Sequence, residues 1–388
     1  MRLLIAAGGT GGHVYPALAV AEALLAVPAP ASALHPGGDA LTGTTDGTQI
    51  YFVGSAGGFE RPLLEEARSA GLQLAAYDEV RAGPLHGVAL RQLPASLLNL
   101  LIGFFQALRL LRKVRPQALL LTGGWVNVPV ALAAWLLRVP SLIYLPDIEP
   151  GLTIKALRPL ARQVAVTTEE SRAFIPEKQM LVTGYPLRRA LIECLDQRGA
   201  AQAHFGLNPA KKTLLVFGGS RGARSINSAL LDILPQLLAD GVQVLHVSGT
   251  LDWERIQAQR AALGSPPDYH AHAYLHDMGL AFAAADVVVC RAGASVLGEL
   301  PLFGLPSILV PYPHAWRYQK VNAEYLAQRG AALLLEDAKM SVELLPALRT
   351  LFGDAARLAT MQTAARALAQ PQGAQNVAAA LRRLGAGR

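Results

Sequence analysis

Short apolar runs alternate with helical patterns along the whole chain, and this alternation is the strongest constraint on the fold. Short apolar runs bounded by Gly and Pro are typical of parallel strands buried on both faces. We predict such strands at Leu3–Ala7, Ile50–Val53, Ala118–Leu121, Ser141–Leu145, Gln163–Thr167, Thr213–Phe217, Val242–Ser248, Asp286–Cys290 and Ser307–Val310. Strands that alternate with helices form βαβ units, so the predicted fold class is α/β with doubly wound sheets.

The chain contains two such series of strands and helices. Its 388 residues exceed one ordinary domain, and a hydrophobic content of 52% excludes a disordered chain. We predict an N-terminal domain at 1–185 with a loop insertion at 28–48, and a C-terminal domain at 186–370. A last helix at 371–388 is expected to pack back on the first domain. Two Rossmann-like domains of this kind face each other across a cleft at the carboxyl ends of their strands.

The positive charge is concentrated in one part of the chain. The stretch from Arg81 to Pro146 contains six Arg, one Lys and no Asp or Glu, so its charge of +7 equals the formal net charge of the whole chain. Within it, the uncharged segment SLLNLLIGFFQAL (96–108) is followed at once by a basic cluster that ends at residue 115. A nucleic-acid surface would mix its cations with polar and aromatic groups. An apolar segment that ends in cations favours an anionic membrane surface as the partner of 96–115, and no nucleic acid.

A transmembrane span is not expected. The segment from Pro116 to Leu137 is uncharged, but TGGWVNVP (122–129) in its middle indicates a strand, a loop and a helix. The first residues, RLLIAAGGTGGH, lack the features of a signal peptide. Cys194 and Cys290 are far apart in the sequence, which favours a reducing cytoplasm.

A glycine loop, AAGGTGGHVYP, follows the first predicted strand. Its glycines let the backbone approach a ligand closely, and we expect the next helix to begin near Pro16 with its N–H groups directed at that ligand. The pattern is not GxGxxG, which disfavours NAD. His13 is the titratable group of this loop, and it is either a structural residue or a general base.

A second loop, FGGSRGARSIN, follows the strand at 213–217. Its glycines, Ser220, Arg221 and Arg224 at a helix start would suit a pyrophosphate, and a plain turn is the alternative. A third loop opens a helix that contains Glu299, which would either bind a ribose diol or be a surface acid. In the fourth, Gln319 and Asn322 lie on one helical face, where they would bind a sugar or face solvent.

These loops together favour a nucleotide diphosphate that carries a neutral group. No DxD pair occurs in the sequence, so we expect no metal and no other cofactor. Helix N-termini, Ser220 and arginines would then offset the charge of the leaving diphosphate.

The motifs resemble those of one family when they are read in order. The sequence contains several segments that are similar to motifs of the MurG family. They are GGTGGHVYPALAVAEAL, TGGWVNVPVALAAW, TGYPLRRAL, FGGSRGARSIN, ADVVVCRAGASVLGELPLFGLPSILVPYPHA and QKVNA. The resemblance covers nearly the whole chain except the insertion. It implies a GT-B fold and inverting transfer of GlcNAc from UDP-GlcNAc. The acceptor would be the C4 hydroxyl of the muramoyl sugar on undecaprenyl pyrophosphate, in the step from lipid I to lipid II of peptidoglycan synthesis. The family works at the cytoplasmic face of the membrane without an obligatory metal.

The resemblance also assigns site residues. It implies His13 as the catalytic base, Leu275 at the uracil, and Glu299 as the ribose-binding acid. The substrate-binding residues that it implies are Thr10, Gly11, Gly12, Trp125, Arg188, Ser220, Asn227, Leu275, Ala294, Ser295, Glu299 and Gln319.

The chain departs from the family on the acceptor side. YLPD (144–147) stands where the family has HEQN, so the family's carboxylate is replaced by Leu145. Asp147 or Glu149 would substitute for it, and we assign Asp147 as the second catalytic residue. Tyr185 replaces an Asn in the GYPLR motif. These changes leave open a second acceptor class, a diacylglycerol or another polyprenyl lipid. A non-catalytic nucleotide-sugar-binding module is the third alternative, which His13 and Glu299 argue against.

Overall fold

The computed structural model describes residues 1–26, 47–58, 60–85, 88–219, 222–313 and 316–387. The chain divides into two compact units. Unit 1 consists of Met1–Pro146, Pro150–Arg188 and Gln372–Arg388, and unit 2 consists of Asp147–Glu149 and Arg189–Pro371. Unit 1 therefore continues past the predicted boundary at 185. The expected insertion at 28–48 lies outside the described residues except for its last two.

Unit 1 is built on a parallel sheet of seven strands. These are β1 (Arg2–Ala7), β2 (Gln49–Ser55), β3 (Ala76–Val80), β4 (Ala118–Gly123), β5 (Ser141–Leu145), β6 (Gln163–Val166) and β7 (Met180–Val182). Their order in the sheet is β3-β2-β1-β4-β5-β6-β7, so it reverses between β1 and β4. The central strands β4 and β5 are buried along their whole length, as expected for strands covered on both faces.

The helices that connect these strands are α1 (Gly11–Leu25), α2 (Glu60–Ser69), α3 (Leu93–Val114), α4 (Asn127–Leu136) and α5 (Leu152–Leu157). The junction predicted at 122–129 is confirmed, since β4 ends at Gly123 and α4 begins at Asn127. The start of α1 was predicted wrongly. The N–H groups of His13 and Val14 both donate to the Thr10 carbonyl, so the helix begins before Pro16 and places His13 in its first turn.

Helix α3 covers one face of the unit 1 sheet. Its buried residues include Ala107, Leu111 and Val114, which belong to the hydrophobic core of this unit. The side-chain oxygen Oε1 of Gln106 accepts a hydrogen bond of 2.8 Å from the Arg81 backbone N–H, which fixes the helix against the chain that follows β3. Among the described residues, the segment Leu90–Val114 is the one helix long and apolar enough to cross a membrane by length and composition. Since one side of α3 belongs to the core, the helix lies on the sheet.

Unit 2 is built on a second parallel sheet, of six strands. These are β8 (Lys212–Phe217), β9 (Val242–Val247), β10 (Tyr269–His272), β11 (Val287–Cys290), β12 (Ser307–Leu309) and β13 (Ala332–Leu334). Their order is β10-β9-β8-β11-β12-β13, and it reverses between β8 and β11. Both sheets therefore have the strand order of a doubly wound fold, as predicted.

The helices of unit 2 lie between and after these strands. They are α6 (Arg189–Ile192), α7 (Arg198–His204), α8 (Arg224–Ala239), α9 (Trp253–Ala262), α10 (Met278–Ala284), α11 (Val296–Phe303), α12 (Trp316–Gln328), α13 (Met340–Gly353) and α14 (Ala355–Ala367). The core of this unit includes Leu214, Ile226 and Val289, from β8, α8 and β11.

The last helix, α15 (Gly373–Ala386), belongs to unit 1. It packs against α1, and the Arg382 guanidinium donates a 2.7 Å hydrogen bond to the Leu24 carbonyl at the end of that helix. Near its start, the Asn376 side chain donates to the Thr183 carbonyl at 2.9 Å.

We predict that Gly103→Ala destabilises unit 1. Alanine normally favours a helix over glycine by about 1 kcal/mol. A Cβ at Gly103, however, would overlap the Arg81 carbonyl oxygen. We expect a net loss of about 1–3 kcal/mol in the free energy of unfolding, because the helix must move away from that carbonyl. Thermal or urea unfolding measures this loss.

Gly199→Ala is the matched control for this prediction. Gly199 lies in α7, and a Cβ there meets no heavy atom within 4 Å. This variant should be as stable as the parent protein or slightly more stable. Equal stabilities for the two variants would show that α3 does not pack as closely as described.

Candidate active site

The first glycine loop lies at the carboxyl end of β1, directly beside the reversal point of the unit 1 sheet. Gly9 has a φ of +93°, a conformation that favours glycine. Thr10 precedes α1, and Gly11 and Gly12 form its first turn. The first N–H groups of a helix have no acceptor within the helix, so this turn offers donors and a positive dipole end to an anionic ligand.

The His13 ring is held by this loop. Its Nδ1 atom lies 3.2 Å from the Gly8 carbonyl oxygen and 3.3 Å from the Thr10 hydroxyl. A carbonyl only accepts, so Nδ1 carries the proton and Nε2 has the lone pair that a general base needs. Burial lowers the pKa of His13 below its ordinary value, and the bond to Gly8 opposes part of that change. The imidazole is therefore neutral near pH 7.

The second glycine motif, TGGW, meets the first at the ends of β1 and β4. The Gly8 N–H donates to the Gly123 carbonyl at 3.2 Å. Gly123 and Gly124 have φ values of +133° and +87°. A Cβ at Gly123 would overlap the His13 ring, and one at Gly124 would overlap the Gly8 carbonyl. Both glycines are thus required by close packing around His13, and the partly buried Trp125 follows them directly.

Arg188 is brought to the same loop. Its guanidinium lies over the Tyr15 ring, 4.3 Å from the ring centroid. A Cβ at Gly11 would in turn lie 3.0 Å from that ring. Thr10, Gly11, Gly12, His13 and Arg188 therefore form one cluster in unit 1, although Arg188 is distant in sequence.

The residues that depart from the family pattern are buried together. The rings of Tyr144 and Tyr185 pack edge to face, with centroids 6.3 Å apart. The Tyr144 hydroxyl is 2.9 Å from the Thr167 hydroxyl, which donates to the Pro146 carbonyl at 2.8 Å. Leu145 is fully covered. The two tyrosine rings thus pack as one buried pair, and the Tyr144 hydroxyl is bonded within unit 1.

Asp147 belongs to unit 2 by its contacts. The Asn322 amide donates 2.8 Å and 3.1 Å hydrogen bonds to the Asp147 carboxylate and the Ala292 carbonyl. The Asn322 oxygen accepts from the Ile148 N–H at 3.2 Å. Burial raises the pKa of Asp147, and the bond from Asn322 opposes that change. Asn322 is completely buried, so the solvent-facing alternative for this residue was wrong, and its side chain orients Asp147.

The loop FGGSRGARSIN, predicted to bind a diphosphate, follows β8 beside the reversal point of the unit 2 sheet and leads into α8. The predicted binding residue Ser220 and its neighbour Arg221 lie outside the described residues. Gly222 has a φ of +78°, and a Cβ there would overlap the Ser248 carbonyl. The exposed Arg224 is the first residue of α8. The loop therefore combines a cation with a helix N-terminus.

Asn227 is buried beneath this loop. Its amide donates to the Ser248 carbonyl at 2.9 Å and to Asp252 at 2.8 Å, and its oxygen accepts from His246 Nε2 at 3.0 Å. His246 Nδ1 then accepts from the Tyr269 hydroxyl at 2.7 Å. Asn227 is one of the predicted substrate-binding residues. Its side chain is fully buried and bonded at both ends, so it supports the loop from beneath.

Arg291 is a residue of the donor side to which the sequence assigned no role. It follows β11 directly, and its guanidinium donates to Asp337, to the Ser225 hydroxyl at 2.7 Å and to the Val310 carbonyl at 3.1 Å. Arg291 therefore joins the segments that follow β11, β12 and β13 to the start of α8. The sequence signal that could have marked Arg291 is its position as a cation immediately after a buried strand.

The remaining predicted donor residues lie on neighbouring segments of unit 2. Ala294 and Ser295 connect β11 to α11, and Glu299 lies in the first turn of that helix. Gln319, in α12, accepts a 2.9 Å hydrogen bond from the Tyr312 N–H. Leu275 is partly buried in the loop that follows β10. Across the described residues, no group of three or more His, Cys, Asp or Glu side chains is arranged to hold a metal ion.

Comparison with known proteins gives the family. Residues 3–166 match the glycosyltransferase family 28 N-terminal domain, and residues 213–377 match its C-terminal domain. A relative from Roseiflexus sp. (strain RS-1) is 39% identical over 97% of this chain and 94% of its own length. Another, from Desulforudis audaxviator (strain MP104C), is 36% identical over 97% and 96%. Both are named UDP-N-acetylglucosamine–N-acetylmuramyl-(pentapeptide) pyrophosphoryl-undecaprenol N-acetylglucosamine transferase. The chain belongs to the MurG family.

The solved structures agree with this assignment. The crystal structure of MurG from Acinetobacter baumannii is 27% identical, with a TM-score of 0.72 over 98% of this chain and 99% of that one. The predicted GT-B fold is thereby confirmed.

We predict that His246 remains neutral through the physiological pH range. Burial lowers its pKa to about 3. The unfolded chain binds this proton below about pH 6.5, and the folded chain does not, so the free energy of unfolding falls as the pH is lowered through this window. Imidazole NMR should show the Nε2–H tautomer without titration down to pH 5. His246→Gln identifies the signal, and a titration midpoint near 6.5 would contradict the network.

Proposed function

We propose that this protein transfers GlcNAc from UDP-GlcNAc to the C4 hydroxyl of the muramoyl sugar of undecaprenyl-pyrophosphoryl-MurNAc-pentapeptide. This reaction converts lipid I to lipid II in peptidoglycan synthesis. The observation that carries the proposal is the placement of the motifs: in each sheet, both strands at the reversal point end in a glycine-containing family motif. Ligands of doubly wound folds bind at such points. The relatives named for this transfer match nearly the full chain.

His13 is the proposed general base. Its Nε2 takes the proton of the acceptor hydroxyl as the oxygen attacks the anomeric carbon of GlcNAc. The bond from that carbon to the UDP oxygen breaks, and the electron pair leaves with UDP, so the configuration is inverted. The neutral tautomer fixed by Gly8 gives Nε2 the lone pair for this step.

The donor binds to unit 2 in this proposal. The N-terminus of α8 and Arg224 offset the charge of the leaving diphosphate, which needs no metal ion. Ser220 remains a predicted ligand of the same phosphates. Glu299 holds the ribose, Gln319 the sugar and Leu275 the uracil, with Ala294 and Ser295 lining the approach to α11.

The acceptor side of the proposal uses Asp147 and the cluster around the first glycine loop. Thr10, Gly11, Gly12, Trp125 and Arg188 would contact the acceptor or its pyrophosphate. Asp147, oriented by Asn322, is the proposed acidic partner that replaces the carboxylate lost at Leu145. A diacylglycerol or another polyprenyl lipid is the alternative acceptor, motivated by YLPD (144–147) in place of the HEQN that the resemblance implies.

The membrane-binding surface is proposed to be one ridge of α3. Leu97, Leu101, Phe105, Arg109 and Lys113 are spaced four residues apart, and all five are exposed. Neighbours in this series are adjacent on the helix surface, so the five residues form one inclined row along the helix. The ridge thus presents three apolar side chains followed by two cations, a pattern that suits insertion into an anionic leaflet. The protein would work as a peripheral enzyme at the cytoplasmic face of the bacterial membrane.

The transfer reaction is the direct test of the function. With labelled UDP-GlcNAc, the product should form on lipid I and should not form on diacylglycerol. His13→Ala should lower kcat by about 100-fold or more while the affinity for UDP is retained, because general-base catalysis contributes roughly 10²–10⁴. Product on diacylglycerol alone would replace the proposed acceptor with the alternative.

Glu299→Ala tests the donor side of the proposal, with UDP binding as the measurement. Loss of a charged hydrogen-bond partner should weaken UDP binding about tenfold or more by calorimetry. Unchanged UDP affinity would remove the ribose assignment, and full activity of His13→Ala would remove the base.

Vesicle binding tests the ridge on α3. Replacing Arg109 and Lys113 with Gln should weaken binding to anionic vesicles by about 30-fold, since each cation near such a surface is worth about 1 kcal/mol. Replacing Leu101 and Phe105 with Ser should weaken vesicle binding in high salt as well, where the electrostatic attraction to the vesicle is screened. Leu251→Ser is the control, because Leu251 is 74% exposed but lies in unit 2. Equal binding by all variants would place the membrane surface elsewhere.

A further inference from the structure

Another glycine-containing loop of unit 1 differs from the first glycine loop because its backbone N–H groups are bonded within the protein. This loop, residues 55–58, connects β2 to the turn before α2. The Ser55 N–H donates to the Glu60 carboxylate, and the Ala56 and Gly58 N–H groups donate to backbone carbonyls. The Arg61 guanidinium holds the pKa of the Glu79 carboxyl below its ordinary value, and a bond from the Gly57 N–H lowers it further. Since these four amides are occupied within the protein, the loop has the properties of a support and not of an anion site.

Glu60 is the centre of this support. The residue is completely buried, and its position in the first turn of α2 places the carboxylate at the positive end of the helix dipole. One oxygen, Oε1, accepts from Ser55. The other, Oε2, is buried and has no hydrogen-bond partner within the described part of the chain. The proposed mechanism gives this carboxylate no role.

Three glycines leave room for the Glu60 side chain because they lack a Cβ atom. A Cβ at Gly8 would lie 3.2 Å from Oε1 and 2.8 Å from the Ser55 hydroxyl. One at Gly54 would lie 2.6 Å from the Glu60 Cγ, and one at Gly58 would overlap the carboxylate. Two of these glycines belong to the end of β2 and its loop, but Gly8 belongs to the first glycine loop. Glu60 therefore lies beside Gly8, the residue whose carbonyl orients His13, and with Ser55 it borders the space that a side chain at Gly8 would need.

We propose that Glu60 is a positioning residue for His13. It holds the end of β2 through the Ser55 amide and borders the side of Gly8 that lacks a side chain, and this support keeps the Gly8 carbonyl where His13 Nδ1 can donate to it. The inference rests on the proposed role of His13 as the base. It adds a buried carboxylate that touches neither substrate and acts through Gly8 alone.

The test compares Glu60→Ala with Glu60→Gln in the transfer reaction. Glu60→Ala should lower kcat between about 10- and 100-fold, because small displacements of a catalytic group have effects of that size. The KM for UDP-GlcNAc should remain within about twofold, since the donor binds to unit 2. Glu60→Gln keeps the acceptor for Ser55 and the shape of the side chain, so it should retain kcat within about threefold of the parent. A Gln variant as slow as the Ala variant would overturn positioning by shape.

The pH profile separates positioning from general damage. The bond from Nδ1 to the Gly8 carbonyl raises the pKa of His13, so its loss in Glu60→Ala should move the acid limb of kcat/KM to lower pH. A smaller active fraction would lower the rate without moving that limb, and this result would overturn the proposal. Glu79→Gln is the matched control. This change removes the Glu79 carboxylate, which lies in β3, binds the Gly57 N–H and is not among the groups nearest to Gly8. The pH profile should therefore stay unchanged.

A double-mutant cycle keeps the test independent of the Glu60 variants alone. Gly58→Ala should lower kcat in the parent protein because its Cβ displaces the Glu60 carboxylate. In the Glu60→Ala background the same change should have no further effect, since the overlapping group is gone. Additive effects would overturn the contact. If His13→Ala is inactive and the Glu60 variants behave as the parent, the positioning proposal fails while the proposed function stands.

Discussion

The close approach of two glycine segments at the reversal point of the unit 1 sheet is the constraint on which the rest of the site depends. Gly8 and Gly123 come from adjacent strands and are joined by a backbone hydrogen bond. Side chains at Gly123 or Gly124 would occupy the space that the His13 ring and the Gly8 carbonyl use. The strand order brings the two segments together, and the absence of Cβ atoms lets them close around the imidazole. The tautomer of His13, and with it the direction of its lone pair, follows from this packing.

The sequence predicted the centres of the sheets and missed their edges. The four strands that were not predicted are β3, β7, β10 and β13, which are the two edge strands of each sheet. Central strands are covered on both faces and read as continuous apolar runs. Edge strands such as β3 (AYDEV) and β10 (YHAH) contain charged and polar residues, and β7 and β13 have only three residues each, so their pattern is weak. Position in the sheet, rather than position in the chain, decided which strands could be recognised.

The site shows a similar division. Glycine motifs after strands were visible because their spacing reflects backbone geometry, and the structure places them at the reversal points. The residues that support the site could not be recognised from the sequence, because their roles depend on contacts between distant segments. Asn227 carries a polar side chain at a helix start, which is typical of a ligand-binding residue, but His246 and Asp252 occupy it completely. Arg291 and Glu60 have no local pattern that marks them as supports, since their partners come from other loops. The pairing of Tyr144 with Tyr185 is likewise a relation that single motifs do not contain.

The return of α15 to unit 1 has a consequence for the order in which the protein is made. Unit 1 is assembled from three separate stretches of chain, and the last of them is Gln372–Arg388. On the ribosome, the strands of both units are synthesised before α15, so α1 can pack on β1, β4 and α2 early but its contact with α15 forms later. Unit 1 therefore gains its full set of contacts only after the chain of unit 2 has been synthesised, although the strands of its sheet are made first.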